Sequence, residues 1–489
     1  MSNCASIGII ILLGSVLRSY KWLDFSLWYD EAQWLIVAGS GTFQRLSHDA
    51  ALIAKPSLFG ILLHFWRFAG NNEAFLRVLP CVFGIAAIYL VYRTGLLLLD
   101  RQTALAAAAL TALSPIHIHY SQEVSHYTLT VLLFLCAIYF LLKAFACNRN
   151  GYWILFCLCS AAALYTNFAA LALIPVETVF FLSSGISGSR TARKWIYSQF
   201  FLMALLVCYY FSLNRQMPCF TYARFNEQML WMPRGNALYF RQMFGSFDIG
   251  YTAYLWGYRI SSVLFLFLFC AGIIGTIRAR KTSLTMLLTW ALLPVLAGLS
   301  VSRVIPVFTY RNFLIVLPAY YLLLAAGINY FRRMRIVIWA LIVILYSVSL
   351  VNYYGNRYPC AEVCYRPGVH PRMDNRGASK YVLANIQAGD IVKHTCYSTV
   401  TPFIYYRYAF SGEKGVKLTL SARDHILKKQ NASFPDSLAG HKRLWLLFAS
   451  WEYPPGLEEM EVRRILDGKY RLLSLRHFSG LDVLLYDLR

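Results

Sequence analysis

The sequence predicts a polytopic α-helical membrane protein that carries a separate α/β domain at its C-terminal end. Three observations predict it. Hydrophobic residues fill 58% of the 489 positions and charged residues only 14%, against about 25% charged in a soluble domain. Apolar runs of about 20 residues, the length that crosses a bilayer, recur along residues 1–352. The charge balance then shifts: residues 1–352 hold 26 Lys and Arg against ten Asp and Glu, and residues 353–489 hold 20 against 13. So apolar a composition excludes a soluble enzyme, a disordered chain, a fibrous repeat and a pure nucleic-acid binder. The net charge of +23 reads as basic loops on the cytoplasmic side.

The expected spans are, in order, 5–22, 76–99, 102–118, 126–146, 152–168, 168–186, 195–213, 258–277, 282–301, 312–331 and 335–352. The stretch Leu52–Phe68 is shorter and carries His64, Trp66 and Arg67, so it is assigned to the interface. With the N-terminus inside, Arg93/Arg101, Lys143/Arg149, Arg190/Arg193/Lys194, Arg278/Arg280/Lys281 and Arg332/Arg333/Arg335 then all face the cytoplasm. A span at 52–68 would turn every one of those clusters outward. The expectation is eleven spans, about residues 1–352, with the domain 353–489 outside. No removable signal is expected, because no basic start with a small-residue cleavage site is present.

Two long outer loops follow, 23–75 with its interfacial helix and 214–257, which is rich in Tyr, Trp, Phe and Arg. In the tail, Gly377–Ile386 reads as helix, Asp390–His394 and Leu444–Ala449 as strands, and Tyr470–Leu488 as a closing hairpin. Cys219, Cys360, Cys364 and Cys396 fall outside the spans, which leaves a disulfide among them open.

Acids are scarce in the first 352 residues, so each needs a reason to be there. Asp30 and Glu31 follow Trp28 and Tyr29 just after the first span. Adjacent carboxylates beside aromatics can supply a partly desolvated general base; the plainer reading is a turn or a helix cap. A second group, His117, His119, Tyr120, Gln122, Glu123 and His126, lies at the outer end of the third span and the start of the fourth. It either lines a polar cavity or holds a divalent metal, although His117 and His119 at i, i+2 suit one helical face poorly. Lys55, Arg77 and Arg311 lie at the same outer level. They read as a phosphate or pyrophosphate site, or as interface anchors.

Several segments occur in one order: Trp28-Tyr29-Asp30-Glu31-Ala32, Lys55-Pro56-Ser57-Leu58, Glu73-Ala74-Phe75-Leu76-Arg77-Val78-Leu79-Pro80, Ala112-Leu113-Ser114-Pro115-Ile116-His117 with Tyr120-Ser121-Gln122-Glu123, and Arg311-Asn312-Phe313-Leu314 with Leu317-Pro318. The chain thereby resembles the GT-C membrane glycosyltransferases of the protein-mannosyltransferase and aminoarabinose-transferase superfamily, in their bacterial family-39-like branch. Asp374-Asn375-Arg376-Gly377-Ala378 with Ala388-Gly389-Asp390 is similar to the start of that family's outer domain.

The resemblance implies a polyprenyl-phosphate-linked sugar as donor and transfer at the outer face of the membrane, in a bacterial inner membrane. It implies Asp30 as base with Glu31 as its acidic neighbour, Lys55, Arg77 and Arg311 near the donor phosphate, and Tyr29 with the histidine segment around the substrates. No cofactor is required on this reading and a divalent metal is optional. One departure stands out. The family's Ser-Gln-Glu-Ala-Arg is Ser121-Gln122-Glu123-Val124-Ser125 here, so a phosphate contact at that point falls to His126 or is lost. The alternatives are a flippase or transporter of lipid-linked sugars, which would need a polar path through the bilayer, and a glycan polymerase or ligase. The spans offer little beyond Glu177 for such a path.

Overall fold

A computed structural model describes residues 3–39, 58–185, 190–216, 235–279, 281–304, 308–360, 371–411, 438–449 and 457–489. The chain packs as two compact units, one of Met1–Tyr20, Thr42–Leu62 and Phe75–Gly368, the other of Lys21–Gly41, Leu63–Ala74 and Val369–Arg489.

The first unit is helical. Among the described residues six helices are long and apolar enough to cross a membrane: Glu73–Leu98, Tyr127–Cys147, Leu255–Arg278, Lys281–Val301, Tyr310–Tyr330 and Arg335–Tyr354. At the other expected positions the chain is helical but shorter or more polar, as at Asn3–Ser19, Arg101–Leu113, Asn150–Leu164, Leu173–Ser183 and Arg190–Gln216. The protein is an integral membrane protein. Leu255–Ala279 and Leu317–Tyr330 cross at backbone distance, which glycine allows. A Cβ on Gly272 would collide with the Leu323 carbonyl oxygen, and one on Gly327 with that of Leu268.

The third expected span differs in an instructive way. Helix Arg101–Leu113 starts on Asp100, whose carboxylate accepts from the Gln102 and Thr103 amides at 2.9 and 3.1 Å. It stops at Ser114, and a second helix runs Pro115–Ser121. Proline at the first position disfavours helix at the residue before it and fits a new helix start. Ser114 caps that start, its hydroxyl accepting from the His117 amide at 3.3 Å. The break turns a continuous apolar stretch into a polar elbow. The stretch assigned to the interface contains the helix Leu58–Ala69, and the expected loop 214–257 contains the helix Ala237–Ile249.

The second unit holds a four-stranded sheet in the order β1-β2-β4-β3, where β1 is Asp390–His394, β2 Arg443–Ala449, β3 Arg471–Phe478 and β4 Leu481–Asp487. β1 and β2 run parallel, while β2–β4 and β3–β4 are antiparallel. Parallel neighbours need a crossover, and the helix Tyr397–Ser411 lies on that connection. One face packs Trp445, Leu447, Val483 and Leu485 with Ala378, Val382 and Phe403; the other packs Leu444, Leu446, Leu484 and Tyr486 with Val462 and Leu466. The expected strands and hairpin are all present, and the expected helix spans Asn375–Asn385. The helices Tyr397–Ser411 and Leu457–Lys469 were not expected. Cys219 and Cys364 lie outside the described residues.

At the parallel edge, Asp390 accepts from Arg443 Nε at 2.8 Å and Nη2 at 2.6 Å, from Trp445 Nε1 at 2.9 Å and from the Gln387 amide at 2.9 Å. Burial alone would raise this carboxyl, but the Arg443 and other donors hold it down at about 2. A carboxylate depressed from the usual 3.8 stabilises the fold above pH ~4 and loses that contribution as pH falls toward 2, on the order of 2 kcal/mol. Protection factors for amide exchange in peptides covering 443–449, measured against the intrinsic rate at each pH, should therefore fall between pH 4 and 2. Asp390→Asn should remove most of that pH dependence while lowering protection at neutral pH.

Candidate active site

The polar elbow is organised by Arg18, buried near the end of the helix Asn3–Ser19. Its guanidinium has five N–H donors, and each finds an acceptor. Nε donates to Ser121 Oγ at 3.2 Å, and Nη1 to the Gly14 and Ala112 carbonyls at 2.9 and 3.0 Å. Nη2 donates to the Thr111 carbonyl at 3.0 Å and His117 Nδ1 at 2.9 Å. Thr111 and Ala112 lie in the last turn of Arg101–Leu113, where unpaired carbonyls and the negative end of the helix dipole favour a cation. Because Nδ1 accepts, His117 carries its proton on Nε2. Gln122 ties the elbow down, Nε2 donating to the Arg18 and Tyr20 carbonyls at 3.0 and 2.8 Å and Oε1 accepting from Tyr353 at 2.8 Å. His117 and Gln122, expected to line a cavity, thus serve the buried frame.

His119 turns elsewhere. Its Nε2 stands 3.7 Å from Glu123 Oε2, with its ring edge-on to Tyr120 and Tyr251 and tilted against Tyr353. Tyr120 and Tyr251 share a hydroxyl–hydroxyl bond of 3.0 Å. His126 accepts at Nε2 from Asn167 Nδ2 at 2.9 Å, the amide orientation being set because Asn167 Oδ1 accepts from the Ala169 amide at 2.8 Å. Its ring lies against Tyr127, and the Arg311 guanidinium stands 5.6 Å from the centre of the same Tyr127 ring. Arg311 starts from the 3₁₀ turn Tyr310–Val316, which Trp290 holds by donating to the Ile315 carbonyl at 2.7 Å. His119, Tyr120, Glu123, His126 and Arg311 are therefore neighbours through Tyr120, Tyr127 and Tyr251. Arg77 is fully buried in the first turns of Glu73–Leu98. Lys55 lies outside the described residues. Among the described residues no group of three or more His, Cys, Asp or Glu side chains is placed to hold a metal ion.

Asp248 went unnoticed in the sequence. It sits at the end of Ala237–Ile249 and accepts from the Tyr320 hydroxyl at 2.5 Å. Burial holds its carboxyl well above the usual range. Arg18 was missed too, hidden as the end of an apolar run; an arginine four residues past Gly14 in so apolar a helix was the available signal.

In the second unit, Asp30 and Glu31 open the helix Tyr29–Ala38, and both are buried. Glu31 Oε2 accepts from the Trp28 amide at 3.2 Å, so Glu31 is a cap in part, as the plainer reading had it. Asp30 occupies the second helical position, where the positive end of the dipole favours an ionised carboxylate. Tyr29 accepts at its hydroxyl from Gln33 Nε2 at 2.6 Å.

The comparisons bear on this arrangement. Residues 56–212 match the model of the dolichyl-phosphate-mannose-protein mannosyltransferase family. ArnT from Cupriavidus metallidurans in the apo state is similar over 98% of this chain and 98% of its own, at 12% identity and a TM-score of 0.60. The fold is that of the GT-C glycosyltransferases. ArnT bound to undecaprenyl phosphate gives 99% and 98% coverage, 12% identity and a TM-score of 0.60. The oligosaccharyltransferase AglB from Archaeoglobus fulgidus, in complex with an inhibitory peptide and a dolichol-phosphate, gives 91% and 69%, 13% and 0.51. No curated protein matches the chain. Family match and GT-C fold together indicate a membrane glycosyltransferase.

The close fit around Arg18 gives a test. A Cβ on Gly84 would strike Ser121 Oγ, the acceptor of Arg18 Nε. Gly84→Ala should destabilise the helical unit by about 1–3 kcal/mol, as overpacking does, read as a lower melting temperature in detergent. Adding Ser121→Gly, which removes the struck atoms, should restore part of the loss.

Proposed function

We propose that this protein moves a sugar from a polyprenyl-phosphate donor to an acceptor hydroxyl at the outer face of the membrane, with inversion at the anomeric carbon. The observation that carries the reading is Asp30: a buried carboxylate at the N-terminal end of a helix, in the first-loop position that the resemblance gives to the base. Donor chemistry is supported by the undecaprenyl phosphate bound to ArnT and the dolichol-phosphate bound to AglB.

In this mechanism Asp30 takes the proton of the acceptor hydroxyl. The acceptor oxygen forms its bond to the anomeric carbon from the face opposite the lipid phosphate. The bond from that carbon to the phosphate oxygen breaks, and its electron pair leaves with the polyprenyl phosphate. Lys55, Arg77 and Arg311 offset the charge that gathers there, so they stabilise the transition state more than the bound donor. Glu31 fixes the start of the helix through Trp28 and thereby orients Asp30. His119, Tyr120, Glu123 and His126 line the substrate side near Arg311. The protein sits in a bacterial inner membrane with residues 353–489 outside.

Asp30→Asn keeps size and hydrogen bonding but removes the base. Transfer should fall by about 10²–10⁴-fold while the polyprenyl-phosphate lipid identified by mass spectrometry still co-purifies; Glu31→Gln should be milder, because the amide oxygen still accepts from Trp28. Undiminished transfer in Asp30→Asn would defeat the mechanism. Arg311→Ala should weaken donor-lipid retention by on the order of tenfold or more, as expected for a lost charge-assisted bond. Impermeant thiol reagents added outside should label cysteines placed at exposed positions such as 23, 24 and 39 and at exposed positions of the C-terminal domain, and label none near Arg190 or Arg332. Labelling at Arg332 would overturn the orientation.

A further inference from the structure

The helix that carries Asp30 is short. Tyr29–Ala38 has ten residues, fewer than the roughly 12–15 at which an isolated helix becomes even marginally stable, so its direction depends on the packing of its buried side chains and on what grips its ends. At the C-terminal end Arg67 Nη1 donates to the Leu35 carbonyl at 3.2 Å, and His64 Nδ1 to the Ala38 carbonyl at 2.7 Å. The chain leading into the N-terminal end is gripped by the run Asp374–Arg376, among other contacts. The Arg376 guanidinium donates to the Leu23 and Phe25 carbonyls at 3.3 and 3.0 Å. Its Nε and Nη2 also form a two-pronged ion pair with the Glu73 carboxylate, at 2.9 and 2.7 Å. Ser26 Oγ donates to Asp374 Oδ1 at 2.9 Å and accepts from the Arg376 amide at 3.1 Å. Asn375 Nδ2 donates to the Leu27 carbonyl at 3.2 Å, and the Leu27 amide donates to the Tyr406 hydroxyl at 2.8 Å.

We propose that Arg376, anchored by Glu73, is a positioning residue for sugar transfer: it fixes the backbone of residues 23–27 and so sets where the Asp30 carboxylate stands. The inference rests on Asp30 being the base. Only a planar guanidinium can engage a carboxylate with one edge and two backbone carbonyls with its remaining donors; a lysine ammonium offers one point of charge. Arg376 belongs to neither apolar cluster of the sheet, and its side chain is 35% exposed. Its removal therefore leaves the sheet standing and releases the approach to Asp30. A displacement of about 1 Å in a reacting group can lower turnover by on the order of a hundredfold.

The test uses the full-length protein in detergent, with Arg376→Ala and Arg376→Lys beside Asp30→Asn, and Arg376→Ala also combined with Asp30→Glu. Amide exchange across 23–38 should speed up about tenfold or more in Arg376→Ala and less in Arg376→Lys, with β2 and β4 unchanged. With the co-purifying polyprenyl-phosphate sugar as donor, kcat should fall by about 10- to 100-fold at nearly constant donor KM. Arg376→Ala should add little to Asp30→Glu, since a residue acting through Asp30 cannot cost much once Asp30 is displaced. Unchanged exchange at 23–38, faster exchange in β2 and β4 as well, or full turnover in Arg376→Ala while Asp30→Asn is inactive would each overturn the positioning role and leave the base assignment standing. Full turnover in Asp30→Asn would instead remove the base assignment and this inference with it, an outcome no Arg376 variant can mimic.

Discussion

A charge buried in a membrane-embedded unit must be satisfied by the protein, since no water is at hand to do it. Arg18 meets that constraint with neutral acceptors: three carbonyls, a hydroxyl and an imidazole nitrogen. Two of the carbonyls end the helix Arg101–Leu113, so the same contact satisfies the guanidinium and a helix end that would otherwise be bare. The consequences run outward from there. The chain must break at Ser114 to expose those carbonyls, Ser121 and His117 must turn inward, and Gly14 and Gly84 must remain without side chains, because a Cβ there would strike Ile88 and Ser121 beside the guanidinium. With His117 so committed, His119 on the same short helix faces Glu123, Tyr251 and Tyr353.

Arg376 solves the opposite problem. It is partly exposed and meets a full carboxylate in Glu73, and its spare donors reach backbone carbonyls of a segment with no regular structure of its own. In water an ion pair of this kind adds little stability by itself. Its value is geometric: two parallel bonds fix the plane of the guanidinium, and the plane fixes which carbonyls it can reach. One arginine closes a helix end inside the helical unit, and the other places a loop in the second unit.

Much of this was legible in the sequence because it follows from local pattern. Apolar runs marked the helices, and short β-rich runs bounded by turn residues marked β1, β2 and the β3–β4 hairpin. The ordered motifs marked Asp30, Glu31 and the Arg311 turn. Contacts between distant positions were not legible. Nothing near Arg18 announces that its acceptors lie about a hundred residues on, as Ser121 does. Nothing near Ser26 announces Asp374. Tyr397–Ser411, with Pro402 inside it and β-branched residues at its start, has weak local helix character and is held by packing, Phe403 lying in the sheet's apolar cluster. Lys55 remains a matter of sequence alone.

The few acids of the first 352 residues can be sorted by what they accept. Asp100 takes helix amides, Glu31 takes the Trp28 amide, Glu73 takes Arg376, and Asp248 takes a tyrosine hydroxyl. Each of these bonds would be lost or weakened if the carboxylate had to turn toward a reacting hydroxyl. Asp30 differs in place. The cap bond that the first turn of Tyr29–Ala38 demands is already taken by Glu31, its neighbour in sequence but on another face of the helix. Of two adjacent carboxylates at one helix start, Glu31 closes the cap through the Trp28 amide, and Asp30 stands at the second position, at the positive end of the dipole. That difference in place is what distinguishes Asp30 from Glu31 in the proposal that Asp30 is the base.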